Sequence, residues 1–201
     1  MVADSAPKDK SKTGEEPHKG VYFSTNGFRR TALLGILSAL LFGIGVAVTE
    51  IPGELFVDID LKPFFIPYLL ILLSPFGIPT LSIALGGALG EGFLDVFEGY
   101  ELDDPFGFLG YAFGFYVFGL YLDRVASDPT SRRAWTIAAL LGAFIQALLE
   151  GIAFLIFEPT NGVGPVVLSV LGNTVAHGLI LGAIPLFVLF PYLREYVFSP
   201  G

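Results

Sequence analysis

Apolar residues in this chain come in long runs, broken by short charged or Pro/Gly-rich stretches. A run of about 20 apolar residues matches a hydrocarbon core of roughly 30 Å. The first span predicted in this way runs from Thr31 to Thr49, preceded by Arg29 and Arg30 and followed by Glu50, Glu54, Asp58 and Asp60. The second covers about Lys62 to Pro75 and holds Pro63, Pro67 and Pro75. It is short, and its prolines predict a kinked or partly re-entrant segment. The third begins after Pro79 and ends among Asp95, Glu98 and Glu101. The fourth runs from about Pro105 to Leu122 and leads into a loop with Arg124, Arg132 and Arg133. The fifth spans Trp135 to Phe157, and the sixth runs from Gly164 through Pro185 and Pro191 to Arg194. The runs are continuous, without the period-two alternation of a barrel strand. The expected fold is therefore an all-α membrane protein of about six transmembrane helices.

Threading the spans back and forth puts Arg29, Arg30, Arg124, Arg132, Arg133 and Arg194 on one side and Lys62 alone on the other. The positive-inside rule then predicts that the N-terminus and the C-terminus are both cytoplasmic. Without the second span this segregation is lost, which is the main reason to keep it. Composition agrees: 53% of residues are hydrophobic and 15% charged, with a mean hydropathy of +0.70. That is more apolar than one soluble core requires. The expected location is the cell membrane, as a multi-pass protein in contact with membrane lipids. The chain has no cysteine, which excludes disulfides, thiolate metal sites and cysteine nucleophiles. A net charge of -8 argues against a nucleic-acid partner, which would need clustered Lys and Arg. Residues 1–20 are polar and mixed in charge, and are expected to form a disordered cytoplasmic tail. They are not expected to act as a signal peptide, because apolar character begins only near Val21. Residues 21–198 are the expected six-helix transmembrane substrate-binding domain.

Candidate chemistry comes from the few polar side chains inside the runs. Glu91 lies within the third run, where an unpartnered charge costs about 2.5 to 3.5 kcal/mol. Asp95 and Glu98 follow it near one helix face, climbing toward the outer side. On the fifth run Gln146 and Glu150 are four apart; on the sixth, Asn173 and His177 are four apart, with Ser169 one turn earlier. Inward projection would gather Glu91, Asp95, Gln146, Glu150, Asn173 and His177 around one cavity able to orient a polar ligand. The alternative for the amides is interhelical hydrogen bonding that fixes the bundle. Gly35, Ala39, Gly43 and Ala47 form a stripe of small residues on the first helix. It suits close approach of another helix, either a partner's or one within this chain. Small residues on the third run, among them Ala84, Ala88, Gly86 and Gly90, read as internal packing. The aromatics from Phe106 to Tyr121 crowd every side of the fourth run, so most face lipid or packed neighbours.

With these features the chain resembles the substrate-capture subunit, or S component, of energy-coupling factor (ECF) vitamin transporters. The resemblance covers about Val21 to Tyr196. It rests on length, six helices with both ends inside, and a first-helix motif of the Ala-x-x-x-Ala kind, which reads here Gly35, Ala39, Gly43, Ala47. The segment from Pro63 through LLSPFGIPTLSIALGGALGEGFLDVF is also similar: a proline-interrupted second helix, then a glycine-rich third helix ending in acids. The resemblance implies that the small-residue stripe docks on a membrane coupling subunit and that the loop from Glu50 to Lys62 gates the site. No G-x-x-x-x-G-K-[ST] motif occurs, so ATP hydrolysis would come from separate ATPase subunits. The expected ligand is a small water-soluble vitamin or precursor. Glu91 and Glu150 favour a cationic or amine-bearing heteroaromatic such as thiamine or its pyrimidine precursor. The chain is expected to bind without catalysing, with no cofactor and no metal. Two other readings stand beside this one. The first is an intramembrane enzyme using Glu91 or Glu150 with His177; the second is a non-transporting scaffold docking through the stripe.

Overall fold

The computed structural model describes residues 25–50, 61–99 and 102–198. The expected tail, residues 1–20, and residues 51–60 of the expected gate lie outside the described residues. The helices are α1 (Thr25–Glu50), α2 (Phe65–Leu72), α3 (Ile78–Glu98), α4 (Asp104–Arg124), α5 (Arg132–Phe157), α6 (Val163–Asn173) and α7 (Ile184–Phe198). Thr174–Ala183 form a π-helical stretch that joins α6 to α7 in one continuous rod. No strand occurs among the described residues.

Among the described residues, five segments are long and apolar enough to cross a membrane: Gly27–Thr49, Ile78–Phe97, Asp104–Arg124, Arg132–Phe157 and Val163–Arg194. Their outward faces carry large apolar side chains, among them Leu40, Ile44, Leu89, Phe113, Ile152 and Val188. Exposure of that kind on every long helix suits lipid as the surrounding solvent and would be an aggregation hazard in water.

Glycine sets how closely these helices approach. A Cβ on Gly86 would overlap the carbonyl oxygen of Gly35, and one on Gly90 would overlap that of Ala39. A Cβ on Gly43 would lie 3.1 Å from the Gly90 carbonyl oxygen. The Ser38 hydroxyl donates to the Ile83 carbonyl at 2.8 Å, and the Ser82 hydroxyl donates to that of Thr31 at 2.8 Å. Later residues of α1 thus meet later residues of α3, so the two helices run parallel. The chain must therefore return across the bundle between them, and α2 makes that return. Pro63 lies against Gly45 near the end of α1, whereas Ile71 lies beside Thr80 and Gly119 near the start of α3. Eight residues span only about 12 Å as a helix, so the second span crosses as a short helix with non-helical flanks. Pro67 falls in its first turn, where a missing N–H is tolerated, and Pro75 prevents its continuation.

Helices consecutive in the chain from α3 to the α6–α7 rod are antiparallel, while α2 runs parallel to α4, Phe64 meeting Tyr111 and Ile71 meeting Gly119. Gly87 faces Phe115 and Gly92 faces Phe108 between α3 and α4, and Gly114 meets Gly142 backbone to backbone between α4 and α5. Trp135 at the start of α5 packs edge-on against Phe190 of α7, 4.9 Å between ring centroids. An aromatic core fills the centre, where Phe64 of the chain entering α2 touches Phe42, Tyr111 and Phe115, and Tyr68 stacks on Phe118 at 4.0 Å. Of the α4 aromatics, then, Tyr111, Phe115 and Phe118 turn inward while Phe113 turns out.

This threading gathers Arg29, Arg30, Arg124, Arg132, Arg133 and Arg194 at one end of the bundle. Lys62, Asp95, Asp103, Asp104 and Glu158 lie at the other. At the arginine end the loop before α5 is tightly built. Asp128 accepts from the Thr130 N–H (2.9 Å) and hydroxyl (2.7 Å), and these bonds hold its carboxyl below the ordinary aspartate value. The Trp135 indole N–H donates to the Pro129 carbonyl at 2.8 Å, and the Ser131 hydroxyl accepts from the Ala134 N–H at 3.2 Å as the N-cap of α5. Ser131→Ala should lower stability by about 1 kcal/mol, read as an earlier midpoint in detergent-induced unfolding.

Candidate functional site

At the acidic end, α3, α4, α5 and α6 enclose a polar chamber of about 150 Å³. Five carboxylates line it: Glu91 and Asp95 of α3, Asp103 and Asp104 at the start of α4, and Glu150 of α5. Lys62, on the segment entering α2, supplies the single cation among its lining residues, and Asn173 of α6 closes one side. Tyr111 and Phe154 add aromatic surface, and Gly107 leaves room for Glu150, whose Oε1 would be 3.7 Å from a Cβ at that position.

Glu91 is the electrostatic centre. It is only 2% exposed, and its Oε1 accepts from the Lys62 ammonium at 2.5 Å. The same ammonium lies 5.3 Å from the centroid of the Tyr111 ring, over its negative face. Glu91 Oε2 is buried and has no hydrogen-bond partner among the described residues. An acceptor in that condition costs about 1 to 3 kcal/mol, more when charged, until a donor meets it. The chamber is therefore set to receive a hydrogen-bond donor, and with five carboxylates against one lysine it favours a cationic one.

Four of the six residues expected at the site, Glu91, Asp95, Glu150 and Asn173, line this chamber. Gln146 and His177 do not. They lie one helical turn deeper, where His177 Nδ1 is 3.4 Å from Gln146 Oε1 and the imidazole stacks on Phe64 at 4.6 Å. Both are fully buried, and they tie α5, the π-helical stretch and the entry to α2 together below the chamber floor. Asn173 donates to Ser169 Oγ at 3.4 Å. The chamber also takes in Asp103, Asp104, Tyr111 and Phe154, which are not among the six expected site residues, and Lys62, which the sequence marks as the lone basic residue of its side, the start of the second span and the end of the expected gate.

The small-residue stripe on α1 faces inward. Gly35, Ala39 and Gly43 meet the α3 backbone at Ser82, Gly86 and Gly90, so these three serve packing within the chain. Ala47 is the exposed member of the four. The face of α1 open to lipid or to a partner carries Leu33, Ile36, Leu40, Ile44 and Val48 instead.

The carboxylates ring the chamber without converging on a point: among the described residues no three of His, Cys, Asp or Glu are grouped to share a metal ion. Comparison with family models, curated proteins and solved structures finds no match to this chain.

Proposed function

We propose that this protein is a membrane-embedded binding subunit that captures a small, positively charged, amine-bearing solute in the acidic chamber. The reading is carried by one observation: Glu91, Asp95, Glu150 and Asn173, from three separate helices, line the same chamber, and Glu91 has a buried oxygen with no hydrogen-bond partner among the described residues. In this reading the arginine end faces the cytoplasm of a cell membrane, as the positive-inside rule requires. The acidic chamber then opens outward, where it meets solute. Delivery inward follows the scheme of the energy-coupling factor transporters that the sequence resembles, with a separate membrane coupling subunit and ATPase subunits. If the coupling subunit docks on α1, it meets the apolar face from Leu33 to Val48 and not the glycine stripe. At about 150 Å³, below the roughly 300 Å³ at which drug-sized sites begin, the chamber favours a single small amine-bearing ring. Among vitamin-like ligands that points to an aminopyrimidine precursor ahead of thiamine itself. The enzyme reading that pairs His177 with Glu91 or Glu150 finds His177 against Gln146 and Phe64, outside the chamber lining.

Calorimetric binding of the aminopyrimidine, thiamine and benzylamine to protein in neutral lipid nanodiscs tests the reading. Glu150→Gln should weaken the tightest of them by on the order of tenfold, about 1.4 kcal/mol. Wild-type protein that binds none of the amines, or binds neutral analogues equally well, would refute amine capture.

A further inference from the structure

A second space adjoins the chamber. Between α3 and α4 at the acidic end lies an open groove of about 550 Å³, walled by Leu89, Phe93, Val96, Pro105, Phe108 and Leu109. Phe93 and Val96 are 64% and 61% exposed, so the groove opens sideways on the apolar perimeter of the bundle. Asp95 and Asp104 line both the groove and the chamber. An apolar channel at the bundle surface thus runs up to an acidic one in its interior, and two carboxylates stand where they meet.

We infer that the two spaces together hold one amphiphile, a single-chain primary alkylamine, with its ammonium in the chamber and its hydrocarbon chain along the groove. The inference rests on the amine reading of the chamber and extends it, because it assigns the substrate class an alkyl tail and a lateral route of entry. Charge selects this occupant. The five chamber carboxylates and the unpartnered Glu91 oxygen attract an ammonium. They repel the phosphate that every aminophospholipid carries beside its amine. A free alkylamine has the attractive group without the repulsive one. Gly92 keeps the groove open: a Cβ there would meet Phe108 at 3.7 Å and the Asp95 carboxylate at 4.0 Å, both ordinary contacts. A Cβ at this position therefore meets no clash, and a larger side chain built on it would extend into the groove that Gly92 lines.

Photolabelling in phosphatidylcholine nanodiscs tests this. The probe is a C12 to C16 primary amine with a diazirine at mid-chain, compared with the same chain ending in a hydroxyl. The amine is expected to label the groove residues of α3 and α4 at least about tenfold more than the alcohol does. Gly92→Leu should abolish that labelling while leaving benzylamine affinity within about twofold of wild type. Equal labelling by the alcohol, labelling spread over all apolar faces, or persistence in Gly92→Leu overturns the groove but leaves amine capture standing if benzylamine still binds. Displacement of the probe by phosphatidylethanolamine as readily as by unlabelled alkylamine would show that the occupant is a phospholipid, and the inference would fall. Absence of binding by any amine, short or long, would sink both readings.

Discussion

Gly86→Ala is expected to destabilise the protein by about 3 to 5 kcal/mol, more than a methyl group added at any other described glycine. The new Cβ would overlap the Gly35 carbonyl oxygen. That is a clash of side chain against backbone, which no rotamer change relieves, so α1 and α3 must separate. Overpacking alone costs about 1 to 3 kcal/mol. Separation also stretches the bonds from Ser38 to Ile83 and from Ser82 to Thr31, worth about 1 kcal/mol each. It further loosens Phe42, which α1 packs against Phe64 and Phe115. Gly92→Ala on the same helix is the control. Its Cβ meets only ordinary contacts, and it should stay within about 0.5 kcal/mol of wild type. Unfolding midpoints of the two variants in mixed micelles decide the matter. Equal midpoints would mean that α1 and α3 do not approach as described, and the argument that α2 must return across the bundle would lose its basis.

That return was legible in the sequence only indirectly. Charge bookkeeping required a second crossing between Thr49 and Pro79, because without it the arginines fall on both sides. Hydropathy alone read the segment as too short and too proline-rich. Parallel packing of α1 on α3 supplies the physical reason: the crossing is obligatory, and because Phe64 and Tyr68 are wholly buried it needs no lipid-length helix of its own. The polar faces were readable from spacing, since residues four apart on a helix share a side. Spacing does not give depth, however. Gln146 and Glu150 share a face, yet the first pairs with His177 in the interior while the second lines the chamber. Nor does spacing say which neighbour a face meets, so the stripe at Gly35, Ala39 and Gly43 was equally open to a partner and to α3. The π-helical stretch around His177 was missed altogether. Its only sequence signal is Pro185, which cannot donate to the Leu181 carbonyl and so leaves the preceding turn free to widen.

Lys62→Met should cost about 3 to 5 kcal/mol and should also tighten amine binding. The two effects have one origin. Lys62 is the cation that compensates Glu91, whose side chain is 3% exposed, and removing it leaves a carboxylate buried beside four others. Glu91→Gln should cost less, about 1 to 3 kcal/mol, because the Lys62 side chain retains 12% exposure and its flexible stem can carry the ammonium toward water. In the double variant neither charge is stranded, so its loss should fall short of the sum of the single losses by on the order of 1 to 3 kcal/mol. Additivity to within about 0.5 kcal/mol would mean that the two groups do not depend on each other. Binding separates structure from function. Glu91→Gln removes an acceptor and should weaken benzylamine by on the order of tenfold. Lys62→Met removes a like charge from the chamber and should strengthen it by a comparable factor. A residue that merely held the fold together would weaken binding whenever it was lost. Opposite signs at two ends of one ion pair therefore require that the chamber act on the ligand through its charge.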